Sequence, residues 1–471
     1  MCNNIETIFK ANEKNTSRIH YEDHKEPRND FDRDRDRILY SKAFRRLSGK
    51  TQVFLSGKDD HIRNRLSHTL EVSQIARTIA KSLGLNESLT EAIAFGHDIG
   101  HTPFGHIGER TLNYIMSGCD KLRDFDDCLE NGKGFKHNWQ SIRVVTKLES
   151  KNKNYRGLNL TKYTLWGILN HSSLENNECK SYYRYNGKKM CTLRRNKKEC
   201  CNNTEKLELD FYDNYRKEVL ENESVTIEGL IVSIADEIAQ RHHDVEDALE
   251  MDIISFEELI EKISESYGEF SKNSKGKINK IKEEYNKDLQ KIMLTSFIVD
   301  TLTETVIENL KDKLESYKDL YNINSIEDFN DKKQNDKFIE ILKNDMNFNK
   351  ELKKKDEEFQ NFIWNRILHS HKVQCMDGKG NFIIRELFKA YLTNPQQLPD
   401  KTIIRLFDNF RDGEHTYEIK DIGKLRNDLQ KIHNDNNKNL KGILMRTICD
   451  YIAGMTDNYA LNSYSNLYEN R

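Results

Sequence analysis

Four prolines in 471 residues leave this chain little choice but to be helical. An average chain carries about 5% proline, and each one removes a backbone donor and ends or kinks a helix. Strand-like alternation is rare, and runs rich in Leu, Ile, Glu, Lys and Asn dominate. The expected class is all-α, mainly helical, with a helical catalytic core and a C-terminal helical extension. Hydrophobic residues make up 36% and charged residues 32%, which is a globular balance with a heavily solvated surface. Length alone allows two or three domains.

Charge excludes one class of partner and leaves others open. The 75 basic and 77 acidic residues sum to −2, so no global basic field holds nucleic acid. The run Arg194, Arg195, Lys197 and Lys198 reads as a solvated loop. Nine cysteines show no CxxC spacing, and the Cys200-Cys201 doublet cannot build a tetrahedral zinc site alone. They read as reduced thiols of a cytoplasmic protein. The N-terminal MCNNIETIFKANEKN lacks the apolar core of a signal peptide, and no apolar stretch is long enough to span a membrane.

Composition divides the chain into an N-terminal arm (1–37), a catalytic core (38–255), a charged helical insertion or spacer (256–380) and a C-terminal region (381–471). The arm is read as extended, ending in the charge run Asp30–Arg37. Glu175 to Thr204 reads as a loop or small excursion. Residues 256–290 read as a solvated helical hairpin, and 318–358 as polar and low in complexity.

The chemistry sits in the core. Arg63 to Leu83 has helical spacing, ends at Gly84 and carries His68. Asn86 can cap a second helix that runs through Ile93 and Phe95 to His97-Asp98. Thr226 can cap a third, through Ile231, Ile234 and Ile238, carrying Asp236. Three helices can therefore bring two imidazoles and two carboxylates to one point. That mixed N/O set suits Mn²⁺, Mg²⁺, Fe²⁺, Co²⁺ or Zn²⁺ with positions left open. A single His or Asp on a helix is usually only a polar residue with a partner; the pair His97-Asp98 stands in a different setting.

That setting is HDIGHTPFGHIGE, residues 97–109. Gly100, Gly105 and Gly108 break the helical pattern and tolerate backbone shapes that a β-carbon resists. His101, His106 and Glu109 follow the candidate ligands closely. So many ionisable groups are costly to bury but make sense around a polyanion.

RILYSKAFRRLSGKTQVF (37–54), RNRLSHTLEVSQIAR (63–77) and HDIGHTPFGHIGE together resemble the deoxyguanosine triphosphate triphosphohydrolase family of HD-domain enzymes. FKHNWQSIRVVTKLE (135–149), LNLTKYTLWGIL (158–169), ADEIAQRHHDVEDA (235–248) and DYIAGMTDNYAL (450–461) continue the likeness in order. The resemblance implies His68, His97, Asp98 and Asp236 as metal ligands, with Mn²⁺ or Mg²⁺ foremost. It implies His106 as a catalytic group oriented by Glu109, and His101 as a residue that contacts or protonates phosphate. Arg65 matches a phosphate-contacting arginine, Gln52 a residue that reads sugar and base edge, and Asp244 a carboxylate for the sugar 3′-hydroxyl. The plain alternatives are a surface ion pair for Arg65, a loop hydrogen bond for Gln52 and a surface charge beside Arg241 for Asp244. His137 and Asn138 read as structural residues, capping or core-polar, at least as readily as substrate contacts. Gln240 stands where the family often has Tyr, and Asn170 where it often has Lys.

The implied reaction attacks the α-phosphorus of a deoxynucleoside triphosphate with water, giving deoxynucleoside and tripolyphosphate. Two other readings stay open: an HD phosphodiesterase or nucleotidase on another ester, and a nucleotide-binding regulator with little turnover. The resemblance also implies a dimer-based homo-oligomer, a tetramer or hexamer, with a nucleotide activator or single-stranded nucleic acid as further partners.

Overall fold

The computed structural model describes residues 8–12, 17–22, 27–52, 63–120, 122, 134–150, 152–174, 182–185, 188–191, 222–270, 274–410, 419–433 and 438–469. Their helices, in chain order, are α1 (Asp30–Leu39), α2 (Lys42–Arg46), α3 (Arg65–Ser82), α4 (Glu87–Gly96), α5 (Gly105–Met116), α6 (His137–Arg143) and α7 (Lys162–Asn170). Then come α8 (Ile227–Glu250), α9 (Phe256–Tyr267), α10 (Ser274–Glu283), α11 (Lys287–Tyr321), α12 (Ile326–Lys332), α13 (Asp336–Asp345) and α14 (Lys350–Leu368). The last are α15 (His371–Thr393), α16 (Asp400–Phe410), α17 (Ile422–His433), α18 (Lys438–Ala453) and α19 (Asp457–Tyr468). Among the described residues the fold is all-α apart from one antiparallel hairpin, β1 (Tyr182–Tyr185) with β2 (Lys188–Cys191), within the stretch read as a loop. The Arg194–Lys198 run and the Cys200-Cys201 doublet lie outside the described residues. Among the described residues no helix is long and apolar enough to cross a membrane.

The three helices that carry the candidate ligands begin where their capping residues stand. Asn64 accepts from Ser67 N, Asn86 from Leu89 N and Thr226 from Gly229 N, each satisfying one orphan amide of a first turn. α8 lies along α3 and touches α4 and α7. Its Ile231, Ile234 and Ile238 are buried, each side chain stabilising the packing by roughly 1.5–3 kcal/mol.

Two apolar cores result. The larger gathers α1, α3, α4, α6 and α7 with α8 to α14; the smaller gathers α5 with the C-terminal helices. α15 joins them: Val373 sits in the first core, while Ile383, Leu387 and Tyr391 sit in the second. A boundary at 380/381 therefore falls inside a continuous helix.

Three readings of the sequence need correction. The charge run Asp30–Arg37 is not an extended arm but helix α1, with Asn29 capping it and Phe31 and Asp34 fully buried. Asp34 accepts from Arg18, from Thr161 N and from Thr164 Oγ1, which gives a buried charge its partners. The insertion is no solvated spacer: Leu259, Ile263 and Tyr267 of α9, Ile278 and Ile281 of α10, and Leu302 of α11 lie inside the larger core. The polar stretch 318–358 likewise folds, burying Phe329, Phe338, Leu342 and Leu352.

Candidate active site

The four candidate ligands converge at the seam of the two cores. His68 Nε2 stands 3.0 Å from Asp236 Oδ1 and 3.9 Å from Asp98 Oδ2. His97 Nε2 stands 3.6 Å from Asp98 Oδ2 and 3.8 Å from Asp236 Oδ1. His97 Nδ1 lies 2.7 Å from the Ala94 carbonyl, which leaves Nε2 buried and without a hydrogen bond. A buried imidazole nitrogen is not normally left idle. The donor set of two imidazoles and two carboxylates fits a divalent metal ion, and His68, His97 and Asp98 form a cluster able to hold one. Burial alone raises the Asp98 carboxyl, but Arg65, His101, His97 and His68 draw it well below its ordinary value. Burial likewise raises Asp236, and the His68 bond and the His97 charge outweigh it. Both are carboxylates, as ligands must be.

The glycine-rich loop hangs beside this cluster. At Gly100 a β-carbon would meet Ser141 N at 2.1 Å and His137 O at 2.5 Å, so the loop can only lie this close to α6 with glycine there. Gly105 has φ +61, the left-handed region. Phe104 shares that region without glycine's freedom. Its amide donates to Asp457 Oδ1 at 2.8 Å, and Thr51 N donates to Asp457 Oδ2 at 2.8 Å. Lys50 donates to the carbonyls of His101 and of Ala453. The C-terminal helices thus hold the loop in place.

Arg65 is a core residue, 1% exposed, and not a surface charge. Its Nη1 donates to Asp98 Oδ2 at 2.5 Å, while Nε and Nη2 are buried without partners. Gln52 has a buried Oε1 without a partner, and its carbonyl flanks Gly105. His101 Nε2 is 3.3 Å from Asp98 Oδ1 and its ring stacks on His137. Burial, with Arg65 and His137 nearby, pushes the His101 imidazole well below its usual range, which favours contact with phosphate over protonating it. His106 is the exposed member, at 63%. Its Nδ1 lies 3.9 Å from Glu109 Oε2, whereas His137 Nδ1 lies 3.1 Å from both Glu109 oxygens. Glu109 therefore holds His137 more tightly than His106. Burial raises the Glu109 carboxyl, but His137 and His106 bring it well below its ordinary value.

Asp244 is buried on α8, and Trp364 Nε1 donates to its Oδ2 at 2.9 Å. Burial pushes this carboxyl up to about 6. Gln240 is half-buried one turn after Asp236. Asn170 bonds the Trp166 carbonyl of its own helix and so does not replace a phosphate-binding lysine. Asn138 is a structural residue, donating to Leu169 O and Ser172 Oγ.

Sequence reading missed His243, Glu71, His171 and Trp364. His243 Nδ1 is 3.2 Å from His68 Nδ1, and its Nε2 is 2.5 Å from Glu71 Oε2. Their spacing carried a signal: Glu71 follows His68 by three residues and His243 follows Asp236 by seven, so each shares its ligand's helix face. His171 Nε2 faces His137 Nε2 at 3.2 Å, and burial pushes its imidazole down to about 3.

Two family models match the chain; the first spans His68, His97, Asp98 and Asp236, while Gln52, His243 and Asp244 lie outside both. An HD domain model matches residues 65–241, and a phosphohydrolase-associated domain model matches 346–414 and 414–466. The chain is 33% identical over 455 residues to a deoxyguanosinetriphosphate triphosphohydrolase-like protein of Rickettsia bellii, covering 96% of this chain and 95% of that one. It is 32% identical over 465 residues to one from Leptospira interrogans, covering 97% and 94%. A third, from Geobacter sulfurreducens, is 30% identical over 456 residues, covering 97% and 93%.

Proposed function

The chain belongs to the deoxyguanosinetriphosphate triphosphohydrolase-like family of HD-domain phosphohydrolases, and we propose that it hydrolyses deoxynucleoside triphosphates to deoxynucleoside and tripolyphosphate. One observation carries the reading. Arg65 is buried against Asp98 with two guanidinium nitrogens unpartnered, beside a cluster that can hold a divalent cation. Cationic donors without protein partners, next to a metal-competent cluster, match a phosphate chain.

His68, His97, Asp98 and Asp236 would hold the cation; the N/O set is compatible with Mn²⁺, Mg²⁺, Fe²⁺, Co²⁺ or Zn²⁺, and the family resemblance puts Mn²⁺ or Mg²⁺ foremost. When bound, that ion neutralises phosphate charge and polarises the phosphorus. Arg65 binds and orients the phosphate chain through Nε and Nη2. His101, neutral, offers a hydrogen bond to it. His106, on the first turn of α5 and open to solvent, accepts the proton of the attacking water, and Glu109 below it steadies the imidazolium that forms. Water adds at the α-phosphorus, the bond to the sugar 5′-oxygen breaks, and that oxygen takes the proton from the His106 imidazolium, leaving as the hydroxyl of the deoxynucleoside and restoring the base. Gln52 and Asp244 frame the sugar, the second through its 3′-hydroxyl, and Gln240 lines the same face of α8.

Incubation of the full chain with each deoxynucleoside triphosphate, singly and mixed, with Mn²⁺ or Mg²⁺, tests the reading. Ion chromatography should find tripolyphosphate and free deoxynucleoside. Orthophosphate or nucleoside monophosphate as the product would refute attack at the α-phosphorus.

A further inference from the structure

Proton accounting along one hydrogen-bonded row leads beyond the ligands themselves. Glu71 Oε2 faces His243 Nε2 at 2.5 Å; His243 Nδ1 faces His68 Nδ1 at 3.2 Å; His68 Nε2 faces Asp236 Oδ1 at 3.0 Å. Glu71 is held as an anion by Arg63 Nε at 2.9 Å and His242 Nδ1 at 3.1 Å, so it can only accept. His243 Nε2 must therefore carry the proton, and neutral His243 turns a lone pair on its Nδ1 toward His68. His68 Nδ1 must then donate. A neutral His68 is left with a lone pair on Nε2, 3.0 Å from the Asp236 carboxylate.

Two lone pairs facing each other at that distance repel unless a proton or a metal ion stands between them, and a metal ion bound at Nε2 takes the place of that proton. The other neutral assignment leaves a worse contact. If His68 Nε2 donates to Asp236, then His243 Nδ1 must donate to His68, and a bare His243 Nε2 meets a carboxylate at 2.5 Å.

We propose that Glu71 and His243 form a relay that orders protons so that His68 presents its Nε2 lone pair to the cation, and thereby sets the site's affinity for a divalent metal. The inference rests on His68 being a metal ligand, as in the proposed function. It also settles a neighbouring ambiguity. Glu71, His242 and His243 form a second cluster with the geometry to hold an ion. An ion on His243 Nε2 would force the opposite tautomer through the row and cost the first site a ligand. The second cluster is a support for the first, not a rival to it. Hydrogen-bonded partners behind a ligating histidine generally contribute 10–100-fold to metal affinity.

The test titrates Mn²⁺ into the full metal-free chain by calorimetry and by loss of the free-Mn²⁺ paramagnetic resonance signal. Wild type, Glu71→Gln, Glu71→Asp and His243→Ala are compared, with the thermal midpoint of each metal-free protein measured alongside. Glu71→Gln can offer an N–H where only an acceptor belongs, so its Mn²⁺ affinity should fall by roughly 10–100-fold while its metal-free midpoint stays near wild type. Glu71→Asp, which keeps the anionic acceptor, should lose less. Wild-type affinity in folded Glu71→Gln and His243→Ala would overturn the relay while leaving the proposed reaction standing. Absence of Mn²⁺ binding by the wild-type chain would overturn both.

Discussion

Trp364 Nε1 donates a 2.9 Å hydrogen bond to Asp244 Oδ2, which fastens α14, 120 residues away in sequence, to the carboxylate proposed to meet the sugar. The bond fixes one carboxylate oxygen and leaves the other for substrate. Trp364→Phe keeps the ring and removes the donor. The KM for a deoxynucleoside triphosphate should rise roughly tenfold, equivalent to about 1.4 kcal/mol, with kcat changed much less. Steady-state kinetics check it, and an unchanged KM counts against the positioning role.

Asp244 also makes the fold sensitive to pH. Burial lifts its carboxyl to about 6, and neighbouring Asp247 to about 7. The folded protein thus holds these protons more tightly than the unfolded chain. Their ionisation costs nothing below about pH 4, costs increasingly between pH 4 and 7, and costs a constant amount above that. Asp244→Asn should therefore raise the urea midpoint at pH 8 and leave it nearly unchanged at pH 4.5, while substrate binding weakens. Equal stabilisation at both values would show that the charge is not what destabilises the wild type.

His106→Ala should cut turnover by 10²–10⁴-fold, the usual share of a general base. Mn²⁺ stoichiometry should stay the same, because His106 is exposed and not among the four converging ligands. Product formation and metal content measured on one preparation decide the point. Loss of both would make His106 structural instead.

Asp457 accepts from Phe104 N, Thr51 N and the Thr51 hydroxyl. Asp457→Ala strands two buried backbone amides at about 1–3 kcal/mol each. A stability loss of roughly 2–6 kcal/mol in urea denaturation follows, with activity falling because the loop between Asp98 and His106 loses its anchor. Asp457→Asn, which keeps one acceptor oxygen, should fall between the two.

The convergence of His68, His97, Asp98 and Asp236 was legible because its signals are local. Asn86 and Thr226 announce helix starts, apolar spacing sets the faces, and the adjacency of His97 and Asp98 needs no tertiary knowledge. Asp244 and Arg65 were ambiguous because burial, which separates a site residue from a surface charge, comes from helices elsewhere in the chain. Trp364 and Asp457 lie more than a hundred residues from their partners, and no local pattern marks them. The insertion was misread for a different reason. Charge density describes what the outer faces of α9 to α11 wear, whereas burial follows the narrow stripe of Leu259, Ile263, Ile278 and Ile281 beneath. The run Asp30–Arg37 misled in the same way, since Arg18, Thr161 and Thr164 neutralise or satisfy its buried acid from outside the run.

His106 and Glu109 ride on α5, whose Leu112 and Ile115 belong to the smaller core, while the helices that position His68, His97 and Asp236 belong to the larger one. The proposed ligands and the proposed base therefore sit on helices of different cores, joined by α15 and the loop that Asp457 pins. On the proposed reading, α18 and α19 bear on the base through Ala453 and Asp457, which hold the loop that precedes it.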